Sequence, residues 1–213
     1  GKERVDCFRP DARLKKDDAV TTTDYDEPLF DQGHMANDAA MKDELNEQLN
    51  TYVMSNMSPQ YCRFNRGIWL SLEHFGRAKA EEGAVHITSG AVFDFNNRDA
   101  RDRDRSAARM GSRNQKARVA IPSSYYKVFL QKDGDTWRSL SVLLRHNNEA
   151  HGKSWNEVRP YIAAHIVPLA GIEAIAEVTL HPDLDRSKLK ESLDGSEWGF
   201  ATTYKGNLEG SCS

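Results

Sequence analysis

Cysteine is scarce in this chain of 213 residues: there are three, Cys7, Cys62 and Cys212, and any one bridge leaves the third unpaired. Their spacing fits no zinc pattern, which excludes a zinc-finger scaffold, and their number excludes a small disulfide-built framework. A Cys7–Cys62 bridge and three free thiols both remain open. Long apolar runs are absent as well, so nothing here is expected to cross a membrane and the chain reads as soluble. Charge of one sign is also missing. With 29 Lys and Arg against 32 Asp and Glu the formal net charge is −3, so binding to a polyanion cannot rest on bulk charge and needs a local basic surface. There is no internal repeat, which excludes a solenoid. The length suits one sizeable core with a tail.

What is present concentrates in the first third. Phe30-Asp31-Gln32-Gly33-His34-Met35-Ala36-Asn37-Asp38 places an imidazole, which can take a proton near neutral pH, next to a glycine that lets the backbone turn tightly. Ser55-Asn56-Met57-Ser58-Pro59-Gln60 follows, and then Phe64-Asn65-Arg66-Gly67-Ile68-Trp69-Leu70-Ser71-Leu72-Glu73. Asn65, Trp69 and Glu73 are four residues apart each time, so a regular helix puts them along one face. An amide oxygen and a carboxylate on that face can hold a hard cation that keeps most of its water, as magnesium does. The same residues also suit an amphipathic helix with Asn65 as its N-cap, Ile68, Trp69, Leu72 and Phe75 in the core and Glu73 solvated.

In this order, Asp31-Gln32-Gly33-His34, Ser55 to Gln60 and Asn65 to Glu73 resemble the D-R-G-H, S-N-x-x-P-Q and N-x-G-x-W-x-x-L-E motifs of the DNA/RNA non-specific endonucleases. These are an endonuclease G-like family of the ββα-metal (His-Me finger) superfamily. The resemblance runs more loosely from Arg4 to about His181. It implies an α+β fold, with a central antiparallel sheet flanked by helices and a ββα-metal finger at the active site. It implies a catalytic set of His34 as general base, Glu73 as an acid holding water at the metal, and Asn56, with Asn65 as the one protein ligand of magnesium; manganese can substitute. Arg4 is the implied phosphate contact, with Arg9 in reserve. Gln32 stands where the family has arginine, which removes a charge-assisted contact that Arg4, Arg63 or Arg66 would have to replace.

The implied substrates are DNA and RNA, cut to leave 5′-phosphate ends. A protein inhibitor and a homodimer are compatible partners, and a membrane is not. A nuclease without sequence preference endangers its own genome, so a secreted or periplasmic location is expected, with an organelle as the alternative. Two other functions remain open: a phosphodiesterase restricted to small nucleotides, and a nuclease-fold protein that binds nucleic acid without cutting it.

The rest of the chain fills in a domain over residues 1–182 and a C-terminal extension over 183–213, partly docked through Trp198, Phe200 and Tyr204. The pattern predicts a short strand at Leu29 and Phe30, with His34 at its end, and helix formers over 39–50. It predicts a buried strand at 52–54, a helix from about Phe64 to Glu82 capped by Gly83, and a strand over 85–89. Residues 98–118 carry arginines at 98, 101, 103, 105, 109, 113 and 118, interrupted by aspartates at 99, 102 and 104. That segment reads equally as a loop tracking a phosphate backbone and as a self-paired surface loop. Strands are expected over 119–131 and 137–145, joined by a turn at Asp133-Gly134, then a strand over 161–166 and a helix over 169–178.

Overall fold

The computed structural model describes residues 7–25, 30–93, 109–110, 119–200 and 212. Arg4, most of the arginine-rich 98–118 segment and Tyr204 lie outside them. In chain order the regular elements are β1 (Phe30–His34), α1 (Leu45–Asn50), β2 (Met57–Tyr61), a π-helical stretch over Phe64–Trp69, α2 (Leu70–Glu82), β3 (His86–Val92), β4 (Arg109–Met110), β5 (Val119–Ala120), β6 (Ser124–Asp133), β7 (Thr136–Arg145), α3 (Trp155–Ala163), α4 (Leu169–Ala176) and β8 (Leu189–Glu191). The chain divides into two compact units, Gly1–Cys62 with Phe93–Ser123, and Arg63–Val92 with Ser124–Ser213.

In the first unit β1 and β2 pair antiparallel, in a register that sets Gly33 opposite Ser58 and His34 opposite Met57. The expected strand at 52–54 is reduced to one bridge between Arg9 and Val53, because the chain turns into a 3₁₀ segment at Met54. Tyr52 and Met54 are nevertheless buried. The helix expected over 39–50 is split into a 3₁₀ turn at Asp38–Met41 and the short α1. Asn37 caps that first turn by accepting from the Ala40 amide at 2.7 Å. Arg9 Nη1 donates to the Leu49 carbonyl at 2.7 Å, satisfying an acceptor in the last turn of α1. Arg9 therefore braces α1. Asp11 gathers the arm: it accepts from Arg13 at 2.6 Å and from Ser55 Oγ at 2.5 Å. These bonds, the guanidinium's first, hold its carboxyl well below the usual carboxylate range.

The second unit is built on a four-stranded sheet in the order β3-β6-β7-β8. β3, β6 and β7 are antiparallel as expected, and a parallel edge strand from the C-terminal region, β8, extends the sheet. The β6–β7 turn is the expected tight one, with Asp133 opposite Thr136. Gly134 takes φ +58° there while Asp135 stays at negative φ, the pattern of a type II′ turn. Strand alternation gives the sheet two apolar faces. Tyr126, Val128 and Leu130 pack with Val92 and with Leu169 and Ile172 of α4. Tyr125 and Phe129 point the other way, to Phe64, Trp69 and Phe75.

Of residues 161–166, expected as a strand, the first half lies in α3 and the rest turns out of it to an isolated bridge between Ile166 and Val142. Trp155, Val158 and Ile162 are the buried positions, and that spacing of three and four is helical. α4 opens after Pro168 as expected and stops where Glu177 turns left-handed. Trp198 and Phe200 are buried, and Trp155 Nε1 donates to the Phe200 carbonyl at 3.3 Å. Cys7 is a free thiol, whereas Cys62 and Cys212 are both disulfide-bonded, so the bridge considered between Cys7 and Cys62 does not form. No helix among the described residues is long and apolar enough to cross a membrane.

Candidate active site

His34 closes β1. Its ring is 8% exposed and sits edge-on to Tyr52, 5.0 Å between centroids, with Phe8 tilted against it at 5.8 Å. The glycine before it is dictated by the neighbouring strand. A Cβ built on Gly33 would overlap the side chain of Gln60, whose Cγ would lie at 2.7 Å. Gln60 is fully buried and lies across the backbone of the D-Q-G-H segment, so two of the motifs read in the sequence are one packed unit. Gly33→Ala is accordingly expected to cost about 1–3 kcal/mol, the usual cost of overpacking, as a lowered melting temperature. Adding Gln60→Ala should recover part of it, and equal melting of both variants with the parent would dismiss the contact.

The backbone beyond His34 is held by Asn56. Its Oδ1 accepts from the Ala36 amide at 3.0 Å, and its Nδ2 donates to the Ala36 and Thr51 carbonyls, both at 2.8 Å. The Met35 amide donates to the Asn56 carbonyl at 3.0 Å. These contacts clamp the loop that carries the imidazole. Gln32 is half-buried, and its Oε1 has no hydrogen-bond partner among the described residues.

In the second unit Asn65 does not lie on a regular helix. Residues 64–69 form a π-helical stretch kinked at Gly67 (φ −111°, ψ −107°), and α2 begins after it. Arg63 occupies the N-cap position without a side-chain cap, so Asn65 is not the N-cap either. The equal spacing of Asn65, Trp69 and Glu73 thus holds along α2 only for the last pair. Single π turns within helices recur at functional sites because they change the direction of one residue without ending the helix. Ser71 Oγ donates to the Gly67 carbonyl at 3.1 Å, satisfying an acceptor at the kink. α2 ends at Gly83 as expected, but with φ 162°, which is extended backbone, so the stop is not a left-handed cap. Arg63 and Arg66 are exposed beside this stretch, and the Arg63 amide donates to Asn148 at 3.4 Å.

One group that motif reading missed belongs to this surface. Lys127 of β6 is 2% exposed, with its ammonium 4.0 Å from the Trp69 ring centroid. Burial pushes it down to about 8, Glu73 opposing and Arg77 adding to that fall. Arg77 Nη1 is buried without a hydrogen bond among the described residues.

A hard cation would take oxygen donors, and the two that the sequence motifs name here are the Asn65 amide and the Glu73 carboxylate. No group of three or more His, Cys, Asp or Glu gathers among the described residues, so the donor set is not a protein cage. An amide oxygen at a helical kink, with a carboxylate farther along the helix, is the sparse oxygen set of an ion that keeps its own water.

A mixed α+β chain that runs strand, strand, helix, with a histidine ending the first strand and an asparagine entering the helix, has the fold of the ββα-metal nucleases. Residues 1–207 match the DNA/RNA non-specific endonuclease family, and the chain belongs to that family. This places it among enzymes that hydrolyse phosphodiester bonds. Nuclease C1 of Cunninghamella echinulata var. echinulata is 29% identical over 192 residues, covering 85% of this chain and 71% of the fungal protein. Mitochondrial endonuclease G of Homo sapiens is 26% identical over 184 residues, 85% of this chain and 59% of the human one. Human mitochondrial nuclease EXOG is 27% identical over 189 residues, 87% and 49%. The chain therefore spans only about half to three fifths of these two mitochondrial relatives. Among solved structures, the crystal structure of an EndoG/EndoGI complex matches with a TM-score of 0.72 at 21% identity, over 90% of this chain and 76% of that one, a likeness of fold.

Proposed function

We propose that the chain is a magnesium-dependent endonuclease that hydrolyses phosphodiester bonds of DNA and RNA and leaves 5′-phosphate ends. The observation that carries this reading is the fixed setting of His34, an imidazole between Phe8 and Tyr52 on a backbone that Gln60 and Asn56 hold. In this reading His34 takes a proton from the water that attacks phosphorus in line. Asn56 acts by positioning His34, and Asn65 supplies the amide oxygen for the cation. Glu73 accepts hydrogen bonds from water beside it. Magnesium, or manganese in its place, supplies positive charge for the phosphate and the leaving 3′ oxygen. Arg63 and Arg66 meet phosphate from the start of the helix, with Arg4 as a further contact, while Gln32 contributes a neutral hydrogen bond where relatives have a cation.

The mitochondrial relatives support an organelle as one location, and an exported or periplasmic enzyme is the other. The structural neighbour is an EndoG held by EndoGI in a complex described as inhibition, which supports a protein inhibitor as a partner here too. A homodimer belongs to the same reading. Plasmid DNA and total RNA, incubated with the protein and magnesium, should both be degraded to 5′-phosphorylated products. Chelator should stop the reaction, and excess magnesium or manganese should restart it. Intact substrates in both metals would reject the proposal.

A further inference from the structure

α4 covers only part of the sheet face on which it lies. Leu169 and Ile172 pack over Val92, Tyr126, Val128 and Leu130, and the helix stops at Ala176. Beside the β6–β7 turn a cavity of about 230 Å³ opens, lined by His86, Leu130, Trp137, His181, Asp183 and Leu184. His86 stands opposite Leu130, and Trp137 opposite Lys132 two residues on, so the strand residues share one face. Phe129 faces Phe75 of α2 on the other side, so the cavity lies across the sheet from α2. Its outer wall is the segment that follows α4, and that wall is fixed. The Glu173 carboxylate accepts from the Leu180 amide at 2.7 Å and from Arg186 Nη2 at 2.8 Å. His181 takes φ +50°, uncommon for a residue with a Cβ, and its Nε2 lies 3.0 Å from Thr88 Oγ1. Backbone of this kind persists where its surroundings over-determine it, and it concentrates at binding sites. Burial, with His86 and Arg186 adding and Glu173 opposing, holds the His181 ring below its ordinary pKa. Near neutral pH that ring is therefore uncharged and offers one donor and one acceptor.

The walls select the ligand. Trp137 is half-buried, with the His86 ring tilted against it at 5.6 Å, and it forms with Leu130 and Leu184 a bed for a flat apolar body. The imidazoles and the Asp183 carboxylate ask for a polar edge on that body. No lysine or arginine is among the lining residues, and Arg186 is paired with Glu173, so a phosphate in the cavity would meet the like charge of Asp183. A guanidinium suits Trp137 and Asp183 but brings donors only, with no acceptor for an imidazole N–H. A nucleobase brings a flat ring, an amino donor and ring acceptors together. The volume is below the roughly 300–1,000 Å³ of sites for drug-sized ligands, which leaves room for one heterocycle. We infer that this cavity is a second nucleic-acid contact: it takes one unpaired nucleobase bearing an exocyclic amino group, stacked on Trp137 with that group donating to Asp183. The base comes either from a single strand or from a free nucleotide. The inference rests on the nuclease reading for why a base is at hand, whereas the chemistry of the cavity does not.

The test uses the full chain in chelator, so that nothing is cut, and follows the Trp137 indole N–H by nitrogen NMR, with Trp137→Leu assigning the signal. Adenosine and cytidine should shift it saturably, with Kd on the order of 0.1–1 mM for ligands of this size. Uridine, which lacks the amino group, should bind several-fold more weakly. By calorimetry, Trp137→Leu should weaken adenosine about 10–100-fold, the scale of one lost base stack, and Asp183→Ala should weaken it about tenfold. Inorganic phosphate should not displace adenosine. A single-stranded hexadeoxyadenylate that binds more tightly than adenosine monophosphate identifies the strand as the source, and equal affinities identify the free nucleotide. No saturable shift with any nucleoside would overturn the inference, as would displacement by phosphate, tighter binding of methylguanidinium, or an equal shift with a fully paired DNA hairpin. If Trp137→Leu does not fold, His86→Ala and Asp183→Ala, both at exposed positions, carry the test, and unchanged adenosine affinity in both overturns it. A parent that cuts neither DNA nor RNA in magnesium yet binds adenosine here rejects the nuclease reading alone. One that cuts both and binds no nucleoside rejects this inference alone.

Discussion

His34→Ala is expected to lose cleavage by about 10²–10⁴-fold, the contribution a general base usually makes, which corresponds to roughly 3–5 kcal/mol of barrier. The surroundings of the ring complicate the reading of that variant. His34 is buried against Phe8 and Tyr52, so truncation also opens a gap between two aromatic rings and should lower the melting temperature. His34→Gln keeps most of the volume and a polar tip but offers no basic nitrogen. If the imidazole is the base, both variants lose activity alike while only the alanine variant melts early, and added imidazole restores part of the turnover of His34→Ala. A glutamine variant with near-parent turnover would remove His34 from the chemistry and leave it as a core residue.

The sequence was most informative where chemistry requires particular side chains in particular order. The D-Q-G-H, S-N-x-x-P-Q and N-x-G-x-W segments carried the family. The two first ones also turn out to be packed together, Gln60 against Gly33 and Asn56 against the loop after His34. That contact was not legible, because antiparallel register decides which side chain crosses the glycine and no single-strand pattern encodes register. The helix over 64–82 was legible in extent but not in form. Spacing by four assumes 3.6 residues per turn, and the π-helical stretch kinked at Gly67 breaks that assumption for Asn65, the residue whose direction matters most.

Elsewhere, local preference misled. Tyr161, Ile162 and Ile166 are residues that favour strands. The buried set Trp155, Val158 and Ile162 shows that helical packing against the sheet overrides that preference, with Pro160 accommodated inside α3. β8 has only three residues, too few for a periodic signal, and its place beside β7 comes from a parallel pairing far away in sequence. Lys127 could have been found by reading β6 strictly by twos: Tyr125 and Phe129 are core residues, so the lysine between them must face the core as well.

Asn65→Ala is expected to raise the magnesium concentration for half-maximal cleavage by at least the 10–100-fold that losing an outer-shell partner of a metal site costs, since a direct ligand is removed here. Stability should change far less. Asn65 is half-buried and is not the N-cap, and a cost of about 1 kcal/mol is the scale expected for one such side chain. Excess magnesium or manganese should then recover part of the turnover, whereas it should do nothing for His34→Ala. Asn65→Asp separates oxygen from charge: it keeps an oxygen at the same reach, so it should retain cleavage better than alanine. Titrating both metals against turnover, with thermal melting alongside, decides the assignment. If Asn65→Ala keeps the parent's magnesium dependence, or loses turnover only because it unfolds, Asn65 shapes the kinked turn and the cation is held by other groups.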